Sequence, residues 1–100
     1  MNPSSLTGAQ KTQLRGLGQK LSDSLRIGRQ GPTPALYIEL NRQLTTRELV
    51  KARFETADRD ERAALCERMA AEAPCLCVGA VGRTALFWRP GPDGSKLLGA

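Results

Sequence analysis

Gly28, Arg29, Gln30 and Gly31 set a guanidinium and a carboxamide between two residues without a Cβ, just ahead of Thr33 and Pro34. That order of residue types suits the recognition of an anion. Glycine reaches positive φ and lets another backbone come close. Amides of such a loop, with the positive end of the following helix dipole, attract phosphate, although Pro32 and Pro34 withdraw two donors. Arg29 adds a charged hydrogen bond. Further cations are spaced to support the same chemistry: Lys51 and Arg53 two residues apart, and Lys11 and Arg15 four apart. A GxxG tetrapeptide alone also fits an ordinary surface turn, so its meaning depends on what surrounds it.

Other chemistries find less support. The chain has no histidine, which removes the commonest general base and the usual partner of a serine or cysteine nucleophile. It shows no nucleotide-binding signature and no paired carboxylates in an evident cleft, so a non-catalytic protein without a cofactor is expected. Cys66, Cys75 and Cys77 are an odd number in a chain whose N-terminus carries no export signal. They are read as reduced, small core residues of a cytoplasmic protein. Three thiols without histidine fall short of the four ligands of a structural zinc site, so no metal is expected.

The net charge of +5 is unevenly spread: residues 1–53 hold nine Lys/Arg against three Asp/Glu, and residues 54–73 hold three against six. A cationic first half fits a phosphate-rich partner or a solvated face. At 100 residues with 40% hydrophobic content, the chain suits one domain with one core and no membrane span.

The elements that must position these cations can be read from local pattern. Thr7 to Gln10 form a capping box for a helix over about 8–21, with Leu14, Leu17 and Leu21 as its apolar stripe. Residues 24–27 can form a short strand. Thr33 caps a second helix with Pro34 in its first turn, continuing to about residue 44 through Leu36, Leu40 and Leu44. In residues 48–54, Val50, Ala52 and Phe54 alternate with Leu49, Lys51 and Arg53, which predicts a half-buried strand with both cations on an open sheet face. Asp58 to Glu61 cap a third helix, buried through Leu65, Cys66, Met69, Ala70 and Ala73. Residues 75–81 and 84–89 read as a hairpin turning at Gly82-Arg83. The order α-β-α-β-α-β-β implies an α/β two-layer sandwich with a mixed four-stranded sheet. Residues 1–5 are expected to be disordered, 6–90 to form the domain, and 91–100 to be a flexible tail. Tyr37 and Trp88 are expected to be structural. With 4% aromatic residues there is no stacking platform for flat rings, and recognition of a phosphate-rich partner should lean on charge and shape.

The segments "LTGAQKTQLRGLGQKL", "IGRQGPT", "RELVKARF" and "VGRTALFWRP" occur in order, and together they resemble the CRM domain of the bacterial YhbY type over about residues 6–90. That resemblance implies a sheet like that of the C-terminal domain of translation initiation factor three, with an added N-terminal helix. It also implies RNA binding without catalysis and association with ribosomal RNA of large-subunit precursors; a monomeric protein is expected. The family's GxxG loop falls on Gly28, Arg29, Gln30 and Gly31, its basic strand on Lys51 and Arg53, and its basic hairpin position on Arg83; Lys11 and Arg15 are added from the helix-one stripe. Two departures stand out: Gly18-Gln19 where members commonly show Ala-His, and Pro32 where leucine is usual. A different class of reading is an adaptor that docks a basic ribosomal protein or assembly factor on the acidic face of helix three through Asp60, Glu67 and Glu72.

Overall fold

Three helix starts form where local chemistry places them in the computed structural model, which describes residues 6–56 and 58–98; residues 1–5, expected to be disordered, lie outside that range. Helix α1 spans Gly8–Gly18, and the Thr7 hydroxyl accepts the Gln10 amide at 3.1 Å while Gln10 Oε1 accepts the Thr7 amide at 2.9 Å. Helix α2 spans Pro34–Thr46 with Thr33 accepting the Leu36 amide, and α3 spans Arg59–Glu72 with Asp58 accepting the amides of Asp60 and Glu61. Each cap satisfies donors the helix cannot, worth about 1 kcal/mol apiece.

Four strands, β1 (Leu25–Ile27), β2 (Leu49–Phe54), β3 (Leu76–Val81) and β4 (Thr84–Trp88), form one sheet in the order β1-β2-β4-β3. The β1–β2 pair is parallel across α2, and β4 runs antiparallel to both of its neighbours. This is the mixed four-stranded α/β sheet expected. The hairpin closes through Gly82 at φ +58 and Arg83, a two-residue turn with glycine first.

Strand alternation separates two cores. Leu25, Ile27, Val50, Ala52, Phe54, Ala85 and Phe87 face α2 and α3, where they meet Leu40, Leu44, Cys66 and Met69. Cys66 and Cys75 are buried as small core residues and Cys77 packs against the same cluster; burial pushes the Cys75 thiol up to about 12, which keeps it protonated and inert. The other sheet face is not open along its whole length. Leu49, Val78, Leu86 and Trp88 bury against Leu14 of α1, so α1 adds a partial third layer to the sandwich.

Helix α1 ends at Gly18, short of the expected 21, because it meets the sheet there. A Cβ on Gly18 would lie 2.3 Å from Leu86 Cδ1. The Lys51 ammonium then donates to the Gly18 and Leu21 carbonyls, each at 3.3 Å, and so ties β2 to the turn that follows the helix. Leu21 consequently lies outside the helix and is exposed.

The segment after Pro90, expected as a flexible tail, turns at Gly91–Gly94 and docks on Glu48 as far as Leu98. The Glu48 carboxylate accepts from Trp88 Nε1 at 2.9 Å, from the Lys96 amide at 2.7 Å and from the Ser95 hydroxyl. Trp88 is thus a buried structural residue with its indole nitrogen satisfied, as expected. Tyr37 is also structural, packed against the inner core.

Candidate nucleic-acid interface

Beyond the reach of α1, the outer sheet face carries arginines. In β1 the burial pattern is buried, exposed, buried, which sends Arg26 outward between Leu25 and Ile27. The parallel register sets Arg26 beside Arg53 of β2, so the two cations share a face on neighbouring strands. Arg29 reaches the same place from the loop after β1, and Arg83 from the hairpin turn, whose carbonyl accepts the Phe54 amide at 2.7 Å. The four arginines, with Phe54 and Glu55, line one depression of about 380 Å³.

Arg26, Arg29, Arg53 and Arg83 are all exposed. Among the described residues none of the four forms an ion pair, whereas Arg42 pairs with Glu39 and Arg68 with Glu72. Like charges set side by side on adjacent strands destabilise a sheet. A fold that gathers four guanidiniums around one carboxylate, Glu55, therefore sustains a small cost for an electropositive hollow, and planar donors of this kind match phosphate oxygens.

The GxxG loop borders this hollow, and its two glycines have different reasons. Gly31 adopts φ +87 and donates its amide to the Gly28 carbonyl at 3.0 Å, closing a turn that a side chain would strain. Gly28 has no such backbone requirement: a Cβ there would meet only Glu55 Oε2 at 3.8 Å, an ordinary contact. The fold does not demand glycine at 28, so the open space there is available to an incoming molecule. Gln30 is exposed at the same turn.

The remaining sequence candidates separate. Lys51, expected on an open face beside Arg53, is half-buried with its ammonium on the carbonyls of Gly18, the last residue of α1, and of Leu21 just beyond it. It lines a second, larger groove together with Arg15. Lys11, half-buried on α1, lines neither hollow. Arg26 was missed because three residues are too few for strand periodicity to show, although its place between two buried apolar residues was a usable signal.

Comparison with known proteins bears on this arrangement. The CRS1 / YhbY (CRM) domain model matches residues 6–89. The chain belongs to that family. All four arginines of the hollow and the GxxG loop fall inside the matched range. A Pseudomonas aeruginosa protein named "Probable RNA-binding protein" is 34% identical over 93 residues, covering 93% of this chain and 89% of its own length. An "RNA-binding protein" of Haemophilus influenzae is 26% identical, with 93% and 94% covered. The solution structure of a hypothetical protein from Staphylococcus aureus superposes with a TM-score of 0.77 at 26% identity, covering 84% of this chain and 88% of that one. The CRM fold expected from the sequence is therefore the fold observed.

Proposed function

We propose that this CRM-domain protein binds RNA without transforming it, and that its ligand is ribosomal RNA in precursors of the large subunit. The observation that carries the reading is the hollow in which Arg26, Arg29, Arg53 and Arg83, from three separate stretches of chain, converge beside the GxxG loop. In this reading their guanidiniums meet successive phosphates, the bare backbone at Gly28 and Gly31 admits the sugar-phosphate chain, and Gln30 adds a neutral contact. Lys51, Arg15 and Lys11 extend the positive field along the α1 side. The names of the Pseudomonas and Haemophilus relatives agree with RNA as the ligand class. The protein would act as a monomer in the cytoplasm.

Crosslinking in cells followed by sequencing of the attached RNA tests the ligand. Enrichment of large-subunit ribosomal RNA precursors is expected; recovery of unrelated transcripts in proportion to their abundance would overturn the ribosomal assignment. Ribonuclease treatment before a pull-down tests the class of partner. Association with pre-ribosomal particles should disappear, and its survival would favour protein docking on the acidic face of α3.

A further inference from the structure

A second concavity lies on the α1 side of the same sheet face, with a volume of about 590 Å³, well within the range of small-ligand sites. Its composition differs from that of the arginine hollow. The floor is apolar, made by Leu86 and by Val81, which is 77% exposed although it is a large aliphatic residue. Gln19, with a carboxamide that makes no hydrogen bond among the described residues, and the cations Arg15 and Lys51 surround it. Three features shape it. The register of β3 shifts between Cys77 and Gly79, a bulge that re-aims the strand beside the groove. Gly79 lacks a side chain where a Cβ would lie 2.7 Å from Arg15 Cδ, so the Arg15 stem lies against bare backbone. The Arg15 guanidinium is held in turn by Thr12 Oγ1 at 3.2 Å.

Building on the RNA-binding reading, we propose that this groove takes one unstacked nucleobase from the bound RNA. A flat heterocycle needs an apolar surface below, a planar partner beside it, and a donor and acceptor at its edge. Val81 and Leu86, the Arg15 guanidinium and the Gln19 amide supply these in turn. The two cations account for the phosphates on either side of the base, which an apolar side chain from a protein partner would not need. The groove shares its sheet face with the arginine hollow, since Lys51 and Arg53 are alternate residues of β2. A strand with phosphates on Arg53 could therefore turn one base toward Val81. No aromatic residue lines the groove, so this is a guanidinium-and-aliphatic site rather than the stacking platform whose absence the composition announces.

The test uses the full chain with two RNA hairpins, one fully paired and one carrying a single bulged 2-aminopurine. Wild-type protein should bind the bulged hairpin about tenfold more tightly, within the range a single stacked base supplies, and should brighten the probe as it leaves the stack. Combining Val81→Ser with Gln19→Ala changes no charge. It should abolish the brightening and the tenfold preference while leaving affinity for the paired hairpin and the thermal midpoint as they were. Equal binding of both hairpins by wild type, or a double variant that keeps the preference, would overturn the base site alone. Binding of neither hairpin would overturn the RNA-binding reading beneath it.

Discussion

Arg26→Ala separates a ligand-binding role from a structural one. Arg26 and Arg53 are partners in the β1–β2 register and share the outer face, so their guanidiniums repel. Two charges about 8 Å apart in a water-like dielectric cost about 0.5 kcal/mol, reduced to about 0.2 by screening at 0.15 M salt. Removing Arg26 should thus raise stability by about 0.2–0.5 kcal/mol, or about 1–4 °C in the unfolding midpoint of a domain this size. RNA binding should move the other way. If all four arginines of the hollow meet phosphates, log affinity falls with log salt at a slope of about −2.8, taking about 0.7 per contact on a single strand. A rise from 50 to 200 mM salt would then weaken binding about 50-fold. The Arg26→Ala slope should be about −2.1, with affinity at fixed salt about tenfold lower, the loss of one charge-assisted contact. Filter binding across a salt series, paired with thermal denaturation, reads both. An unchanged slope and affinity would refute phosphate contact at this hollow. A lower midpoint would show that Arg26 holds the sheet together instead.

The other predictions concern positions where local rules and tertiary context differ. Gly18→Ala should gain helix propensity yet destabilise by about 1–3 kcal/mol, because the new Cβ would overlap the buried Leu86 side chain; urea denaturation gives the sign. Gly31→Ala should cost about 1–2 kcal/mol through its positive φ, whereas Gly28→Ala should leave the midpoint unchanged and weaken RNA binding, a contrast visible by pairing the two assays. Glu48→Gln should cost about 2 kcal/mol at pH 7 by weakening the charged bonds from Trp88, Ser95 and the Lys96 amide. Burial pushes the Glu48 carboxyl up, but those hydrogen bonds outweigh it and leave it below its ordinary value of 4.5. A lowered pKa in the folded state means the contribution is complete above that value and lost as pH falls below it. Wild type should therefore lose stability through that acid range more steeply than Glu48→Gln, as thermal melts from pH 6 down to 3 would show.

Where a feature depends on near neighbours in the chain, the sequence was sufficient. Thr7 with Gln10, Thr33 with Pro34, and Asp58 each satisfy amides within three residues, so their helix starts were legible. The alternation in β2 and the glycine-first hairpin turn were legible for the same reason; the alternation named Lys51 and Arg53, the GxxG loop named Arg29, and the family resemblance added Arg83. What the sequence left undecided depends on partners far along the chain. Arg26 joins the hollow only because β1 lies parallel to β2 in one register. Lys51 leaves the open face only because the end of α1, 33 residues earlier, lies above it. Glu48 holds Ser95 and the Lys96 amide although nothing near it in sequence announces them. Caps and alternation are short-range free energies written into a few adjacent residues. The electrostatic surface is a property of which strands neighbour each other, and burial of the two cores on either side of the sheet decides that.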